Sequence, residues 1–373
     1  MLKIARVMAF SWSNATYVLF LLEKGIDLPT ANIINICFMA TVLVIDPLTG
    51  RLADKIGQRV IFVAGMIVGS IGMFAYALST SFWGFVLAEF IVGIGYALMS
   101  EAPESWLRNR VGKNQAHSIQ STVGAWTSLL TTIPAFIGAL VGNHIGYEYP
   151  WALGGFVGLL ATVFLIVNVF GDAKVDPVHD ENQMSIWKSI SSSFAHKHIR
   201  FVFLVVIVTR ICYQPFNMFW SKILEDLMGD ASFIGYFWVL ISIAMAIGSR
   251  MAKEIKVFSR VKLVIFMILI GVCIIIPSLK GEVIWIIVGF FMHEVFRELL
   301  VRTIWTYAND FISDSNRSTM NSIRSSVSTG ANIVGLALSG VMVEFFSPLQ
   351  VWILSGLLLV LFALILAVDC RKR

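Results

Sequence analysis

Predominantly apolar segments of about 20 residues recur along the whole chain, and they constrain its fold more than any other feature. A helix needs about 20 apolar residues to cross a bilayer, so each segment is predicted to be a membrane span. The segments run approximately over 4–22, 31–50, 60–78, 82–100, 118–141, 151–170, 200–220, 233–248, 263–279, 283–304, 318–345 and 349–368. Composition agrees, because 57% of the residues are hydrophobic and only 14% are charged, unlike a soluble domain. The sequence predicts an all-α membrane protein with twelve transmembrane helices.

A long polar stretch separates the first six segments from the last six. We therefore expect an N-terminal six-helix bundle over 1–170, a cytoplasmic linker over 171–198 and a C-terminal six-helix bundle over 199–373. Six spans on each side of one linker are typical of transporters built from two related halves.

The linker and a short repeat add detail to this division. Trp187, Ile190 and Phe194 recur at helical spacing, which favours an amphipathic helix at the membrane surface, with an unstructured linker as the alternative. The stretch 118–123 near the start of the fifth segment is similar to 322–327 near the start of the eleventh. Because the two stretches occupy equivalent positions, they favour pseudo-symmetric halves.

Basic residues alternate from one connection to the next, and this alternation predicts orientation. Basic connections stay on the cytoplasmic side of the membrane. The basic connections contain Arg51, Lys55, Arg59, Arg108, Arg110, Lys113, Lys174, Lys188, Lys197, Arg200, Lys253, Lys256, Arg260, Lys262 and Arg317. The intervening connections contain only Lys24, Lys222 and Lys280. We therefore predict a multi-pass protein of the cell membrane (inner or plasma membrane) with both termini in the cytoplasm. The net charge of +5 then reflects topology and not nucleic-acid binding.

The connection after the second segment contains a recognisable motif. It reads DPLTGRLADKIGQR over 46–59 and resembles the G-x-x-x-D-R/K-x-G-R/K-R/K motif of the major facilitator superfamily, with Gln58 as the one departure. The matching residues are Gly50, Asp54, Lys55, Gly57 and Arg59. The resemblance implies a fold of two six-helix halves and a conformational latch on the cytoplasmic side. A solvated charged turn is the alternative.

Further stretches resemble a drug-efflux-like bacterial branch of that superfamily. They lie at 88–107, 296–300 and 316–322, although Glu101 stands where glycine is usual in the branch. The fifth segment has Pro134, Gly138 and Gly142, which match half of the G-P-x-x-G-G signature of drug antiporters. Proline and glycine are also ordinary in packed membrane helices. The resemblance implies a proton-coupled antiporter that exports a small amphipathic compound by alternating access.

Polar and ionisable residues inside the predicted spans are the candidates for a substrate pathway, because each is costly in hydrocarbon unless it is paired or faces water. They are Trp12, Asn14, Tyr17, Glu89, Arg210, Gln214, Asn217, His293, Glu294, Arg297 and Glu298. They fall on the first, fourth, seventh and tenth segments, which line the central cavity in the resembled fold.

Two interpretations of these charges remain open. A buried carboxyl group favours its neutral form, whereas a neighbouring arginine favours the ionised form, so one glutamate of this set could bind the coupling proton. Alternatively, Arg210, Arg297, Glu294 and Glu298 neutralise one another and hold the seventh and tenth spans together.

The sequence therefore predicts a monomeric secondary transporter whose partners are a small molecule, protons and the lipid bilayer. A proton-coupled importer of a nutrient or metabolite is the first alternative. A non-transporting membrane receptor or assembly factor with the same fold is the second. The sequence has no ATP-binding loop, nucleophile elbow or clustered metal-ligand pattern, so we expect neither an enzyme nor a bound cofactor.

Overall fold

The computed structural model describes residues 1–100, 126–127, 129–169, 196–255, 259–309, 311–312 and 317–371, together with Leu107, Val111, Ile119 and Val123. Within these residues the regular structure is helical and no β-strand occurs. The helices are α1 (Leu2–Phe10), α2 (Tyr17–Glu23), α3 (Leu28–Ile56), α4 (Gln58–Leu78), α5 (Phe82–Ser100), α6 (Thr132–His144), α7 (Glu148–Val169), α8 (Lys197–Met228), α9 (Ile234–Lys253), α10 (Arg260–Lys280), α11 (Val283–Asn309), α12 (Arg317–Phe345) and α13 (Pro348–Arg371). The all-helical fold class is confirmed.

Nine helices of the described residues are long and apolar enough to cross a membrane: α3, α4, α5, α7, α8, α9, α10, α12 and α13. The other three predicted spans differ for separate reasons. The first is divided between α1 and α2, and the fifth lies partly outside the described residues, with α6 covering its end. The tenth, α11, is long but contains Glu294, Arg297, Glu298 and Arg302 within nine residues.

The first predicted span is not one continuous helix. It is interrupted between Phe10 and Tyr17 by turns. The interruption contains two serines, an asparagine and a threonine, whose short polar side chains compete with the backbone for hydrogen bonds and so weaken a helix. The prediction of a single helix over 4–22 is wrong at this point, because apolar content alone does not report that competition.

Glycines allow the interrupted segment to pack closely. A Cβ atom at Gly138 of α6 would lie 1.9 Å from the carbonyl oxygen of Trp12. One at Gly154 of α7 would lie 2.9 Å from the carbonyl oxygen of Ala9. Irregular backbone at membrane depth is tolerated where it is buried in protein. Because Gly138 and Gly154 have no side chain, α6 and α7 can cover the backbone of the interrupted segment closely.

The chain divides into two compact units, one formed by Met1–Asp180 with Asp230–Val239 and the other by Glu181–Gly229 with Leu240–Arg373. In the first unit, α4 packs against α5 and α7, and α3 packs against α5. The contact between α4 and α5 depends on small residues, since a Cβ atom at Gly95 would lie 2.5 Å from the backbone nitrogen of Gly69. Close backbone approach of this kind is typical of packing between membrane helices.

In the second unit, α8 packs against α11, α12 and α13, while α10 packs against α11 and α13. The indole Nε1 of the buried Trp352 in α13 donates to the carbonyl oxygen of Pro215 in α8 at 3.0 Å. A Cβ atom at Gly335 of α12 would lie 2.8 Å from the carbonyl oxygen of Ile211. Helix α8 is therefore held on two sides by close contacts.

The connection between α3 and α4, where the latch motif is predicted, is a single residue long. Helix α3 continues to Ile56, and Gly57 alone joins it to α4 with φ of 101°. Glycine adopts positive φ without the steric cost that other residues meet, which suits Gly57 to this turn. Gly50 and Asp54 lie in α3, but the surroundings of Gly50 and the side chain of Asp54 fall outside the described part, as does the predicted linker up to residue 195. Lys55 is exposed and Arg59 is half-buried at the start of α4.

Replacing Gly138 by alanine tests the packing of the interrupted span. The new methyl group would meet the backbone of Trp12, which cannot move aside as a flexible side chain would. We expect a loss of about 1–3 kcal/mol in the free energy of unfolding, measured as a lower melting temperature of the purified protein. Gly330→Ala in α12 is the matched control, because a Cβ there meets no heavy atom within 4 Å, and alanine favours a helix. Equal melting temperatures for the two variants would contradict the packing account.

Candidate functional site

The carboxyl group of Glu89 lies at the centre of a polar cluster in the first unit. Glu89 projects from α5 and is only 4% exposed. The hydroxyl of Tyr17, at the start of α2, donates to Glu89 Oε1 at 2.8 Å. The hydroxyl of Tyr76, near the end of α4, donates to the same oxygen at 3.3 Å. Three helices thus place their polar atoms at one buried point.

Aromatic rings enclose this cluster. The ring of Tyr76 stacks on the indole of Trp151 in α7, with centroids 3.7 Å apart and planes 9° from parallel. Phe20 and Phe85 contact Tyr76 from α2 and α5, and both are fully buried. Such a wall excludes water from the carboxyl group and fixes the two tyrosines.

The buried carboxyl of Glu89 has no cationic partner among the residues that the structure describes. The nearby Lys24 pairs instead with Glu148, at 3.3 Å between Nζ and Oε2. A tyrosine hydroxyl donates to a carboxylate and also accepts from a neutral carboxyl group. The site can therefore satisfy Glu89 in either protonation state, although only the neutral state avoids the cost of an unpaired buried charge.

A second cluster lies on α11 in the other unit, where Glu294 and Arg297 form a tight ion pair. Arg297 Nε lies 3.1 Å and 3.0 Å from the two carboxyl oxygens, and its Nη2 lies 2.5 Å from Oε2. The side chain of Glu294 is 1% exposed and that of Arg297 is 14% exposed. The two-point geometry favours the ionised carboxylate.

Neighbouring rings hold this pair in place. His293 Nδ1 lies 3.1 Å from Glu294 Oε1, and its ring lies 4.0 Å from that of Phe216 in α8. The guanidinium carbon of Arg297 lies 4.9 Å from the ring centre of Tyr213, also in α8. Helices α8 and α11 are therefore joined here by ring contacts and a cation–π contact.

The sequence left open that Arg210, Arg297, Glu294 and Glu298 neutralise one another and hold two spans together. The remaining ion pairs of the described residues differ from that arrangement. Glu298 Oε1 accepts from Arg302 Nε at 2.6 Å, so each glutamate of α11 is neutralised by an arginine of its own helix. Arg210 of α8 forms no ion pair within 4 Å in the described part of the chain. The described ion pairs therefore lie within α11 and do not link it to α8.

The other predicted site residues lie apart from the two clusters or at their edges. Trp12 donates from Nε1 to the carbonyl of Met8 at 2.8 Å, and Asn14 is exposed in the interruption between α1 and α2. Gln214 is 2% exposed and faces Gly335 of α12. Asn217 is exposed and accepts weakly from Tyr213 at 3.4 Å.

Sequence reasoning missed several partners. Tyr76 and Trp151 lie near the ends of their spans and resemble ordinary interfacial aromatics, so only the fold brings them to Glu89. Arg302 was detectable, because it stands four residues after Glu298 on one helix face.

The chain matches the Major Facilitator Superfamily over residues 4–293. Among curated proteins it is similar to the "Putative multidrug resistance protein MdtD" of Salmonella dublin and of Salmonella typhimurium, at 31% identity over 148 residues in each case. The aligned part is 37% of this chain and 30% of each relative. The chain thus spans about a third of the length of the curated relatives it matches.

Solved structures share the fold over the complete chain. The nucleoside transporter NupG aligns with a TM-score of 0.73 at 15% identity, covering 100% of this chain and 96% of that one. The POT family transporter PepTSo aligns with a TM-score of 0.79 at 12% identity, covering 100% and 96%. At such identities the likeness shows the fold alone.

Removing Arg297 tests whether the ion pair on α11 is structural. Arg297→Met leaves the buried Glu294 without its partner, so we expect a loss of about 3–5 kcal/mol in stability. Adding Glu294→Gln should restore much of that loss. The Lys222 side chain is 31% exposed and pairs with Asp226 at 2.7 Å and with Glu225 at 3.1 Å, and Lys222→Met should cost no more than about 1 kcal/mol. Melting temperatures of wild type, Arg297→Met, Glu294→Gln and the double variant measure the coupling between the two residues, and additive losses in the double variant would contradict it.

Proposed function

Because the chain belongs to the Major Facilitator Superfamily and is a multi-pass membrane transporter rather than an enzyme, we propose that it exports a small amphipathic compound in exchange for protons. It does so as a monomer in the cell membrane, by alternating access between two halves of six spans each. Tyr17, Glu89 and Tyr76 form the proton-binding site.

The observation that supports this proposal most is the contrast between two buried glutamates. Glu294 has a bidentate arginine, whereas Glu89 has only two tyrosine hydroxyls. A carboxylate that an adjacent arginine already neutralises gains little from binding a proton. A carboxyl group buried without a cation gains much more, because protonation removes the unpaired charge. The proton site is therefore assigned to Glu89 and not to Glu294.

This difference provides a coupling mechanism. Neutral Glu89 is compatible with the dry aromatic surroundings seen in this structure. Ionised Glu89 requires water or a counter-charge, so loss of the proton favours a conformation in which the cluster opens. Two conformations with different proton affinities are sufficient to link proton uptake to a conformational cycle. Arg297 and Glu294 then serve as a fixed packing pair in the other half.

Orientation and direction rest on the sequence pattern and on the names of relatives. Alternation of basic connections supports cytoplasmic termini and twelve spans. Names that indicate multidrug resistance, together with Pro134, Gly138 and Gly142, support export.

Glu89→Gln tests the proton site. The amide mimics the neutral carboxyl group but cannot release a proton, so we expect transport to lose its response to a pH gradient while substrate binding persists. The measurement is accumulation of a panel of fluorescent amphipathic compounds in everted vesicles, with and without an imposed pH gradient.

Glu148→Gln is the matched control, because Glu148 is a glutamate of the same unit that is 36% exposed and paired with Lys24. It should retain wild-type dependence on the gradient. A folded Glu89→Gln protein with normal pH dependence would remove Glu89 from the mechanism.

Asp54→Asn tests the latch that the motif predicts. Loss of the carboxylate charge should lower the transport rate at least several-fold, while expression and membrane insertion stay near normal, because the residue is proposed to stabilise one conformation. Asp27→Asn is the control, since Asp27 caps the other end of α3 by accepting from the backbone nitrogen of Thr30 at 2.9 Å. Wild-type flux in the Asp54 variant would contradict the latch.

The two alternatives predict different outcomes in the same vesicles. A proton-coupled importer would move its compound together with protons, so the imposed gradient would drive accumulation in the opposite direction. A receptor or assembly factor would show no flux with any compound in the panel.

A further inference from the structure

We infer that Arg210 forms a binding site for a carboxylate or phosphate group, so that the exported compound is an amphipathic organic anion. This inference rests on the proposed transport function and specifies its substrate class. It is drawn from the second unit alone and from residues that the proton site does not use.

A small cavity adjoins Arg210. It has a volume of about 30 Å³ and lies among α8, α11 and α12. Its polar edge consists of Thr209 and Arg210 of α8 with Ser328 of α12, and Trp305 of α11 supplies an aromatic edge. The rest of the lining is aliphatic. Such a volume accommodates one or two water molecules or a single carboxylate-sized group.

Charge balance around the cavity favours an anion. The charged groups that act on Arg210 are Arg297, Arg324 and Glu298. Glu298 already accepts from Arg302, and Arg297 is already bound to Glu294. Both glutamates are therefore paired with other arginines, and Arg210 lies outside both ion pairs. An arginine inside a membrane helix is costly unless a counter-charge or water compensates it.

The chemistry of the lining matches an amphipathic anion in particular. A guanidinium group binds a carboxylate or phosphate through two parallel hydrogen bonds. The Thr209 hydroxyl donates to the carbonyl of Val205 at 2.6 Å, so Arg210 and Ser328 are the donors available to the anion from α8 and α12. Trp305 and the aliphatic side chains of α8 and α11 border the cavity, so they would contact the apolar atoms next to the anionic group, while the rest of the compound lies beyond the cavity. The guanidinium group of Arg210 therefore favours a negative charge, and the aliphatic lining favours an apolar group beside it.

Anion export also agrees with exchange for protons. Outward movement of an anion and inward movement of a proton both transfer positive charge into the cell, so a potential that is negative inside drives both. The anion site and the proton site lie in different units, so neither requires direct contact between substrate and Glu89.

Binding of a matched pair of probes tests the inference without any transport step. The pair is 1-naphthoate and 1-naphthamide, which share a ring system and differ in charge. Binding to the purified full-length protein in neutral detergent is measured by calorimetry at one pH. We expect 1-naphthoate to bind wild-type protein about tenfold more tightly than 1-naphthamide, because a charged hydrogen bond is gained. Arg210→Gln should abolish the preference and Arg210→Lys should retain part of it.

Arg200→Gln is the matched control, because Arg200 is an exposed arginine of the same helix, and it should retain the full preference. Equal affinity for the two probes in wild-type protein, including no binding of either, overturns the inference, as does an unchanged preference in folded Arg210→Gln. A third arm repeats the titration with inorganic phosphate and with phosphatidylglycerol in the detergent. If phosphatidylglycerol binds in a way that requires Arg210 and 1-naphthoate does not displace it, Arg210 belongs to a lipid-headgroup site. That result would overturn the substrate assignment.

Because no pH gradient is present, this result is independent of proton coupling. Loss of gradient-driven flux in Glu89→Gln with an intact 1-naphthoate preference would support both sites. An intact flux mechanism without the preference would remove the anion site alone.

Discussion

The cost of placing a charge in a nonpolar interior is the constraint on which the described structure depends. An unpaired ion at the centre of a membrane helix costs at least about 2.5 kcal/mol, so every buried ionisable group needs a partner, a proton or water. The protein uses a different solution at each site. Glu294 has a bidentate arginine, Glu89 has two tyrosine hydroxyls and no cation, and Arg210 borders a cavity.

The same constraint applies to the backbone. The turns between α1 and α2 leave peptide groups without helical partners, and the close approach of Gly138 and Gly154 buries them within protein. This interruption directly precedes Tyr17, which donates to Glu89. Gly138 of α6 and Gly154 of α7 pack against the end of α1 and the turns that lead into α2. They thus help to position Tyr17 at the proposed proton site.

Most of the architecture was predictable from the sequence because membrane spans have a simple signature. Long apolar segments indicate α3–α5, α7–α10, α12 and α13, and the motif that includes Gly57 and Arg59 indicates the family. The break after Phe10 was not predicted, since span detection averages over its polar residues. The partners of Glu89 were also missed. Tyr76 and Trp151 come from distant segments, and no local spacing reveals a contact that only helix packing creates.

The central claim is that Glu89, and not Glu294, gains and loses the coupling proton. Difference infrared spectroscopy of the purified protein during a pH titration tests it directly, because the C=O stretch of a protonated carboxyl group is separate from carboxylate bands. The account predicts one such band that disappears as the pH rises, that is absent in Glu89→Gln and that persists in Glu294→Gln. A titrating band that survives in Glu89→Gln and is lost in Glu294→Gln would contradict the account.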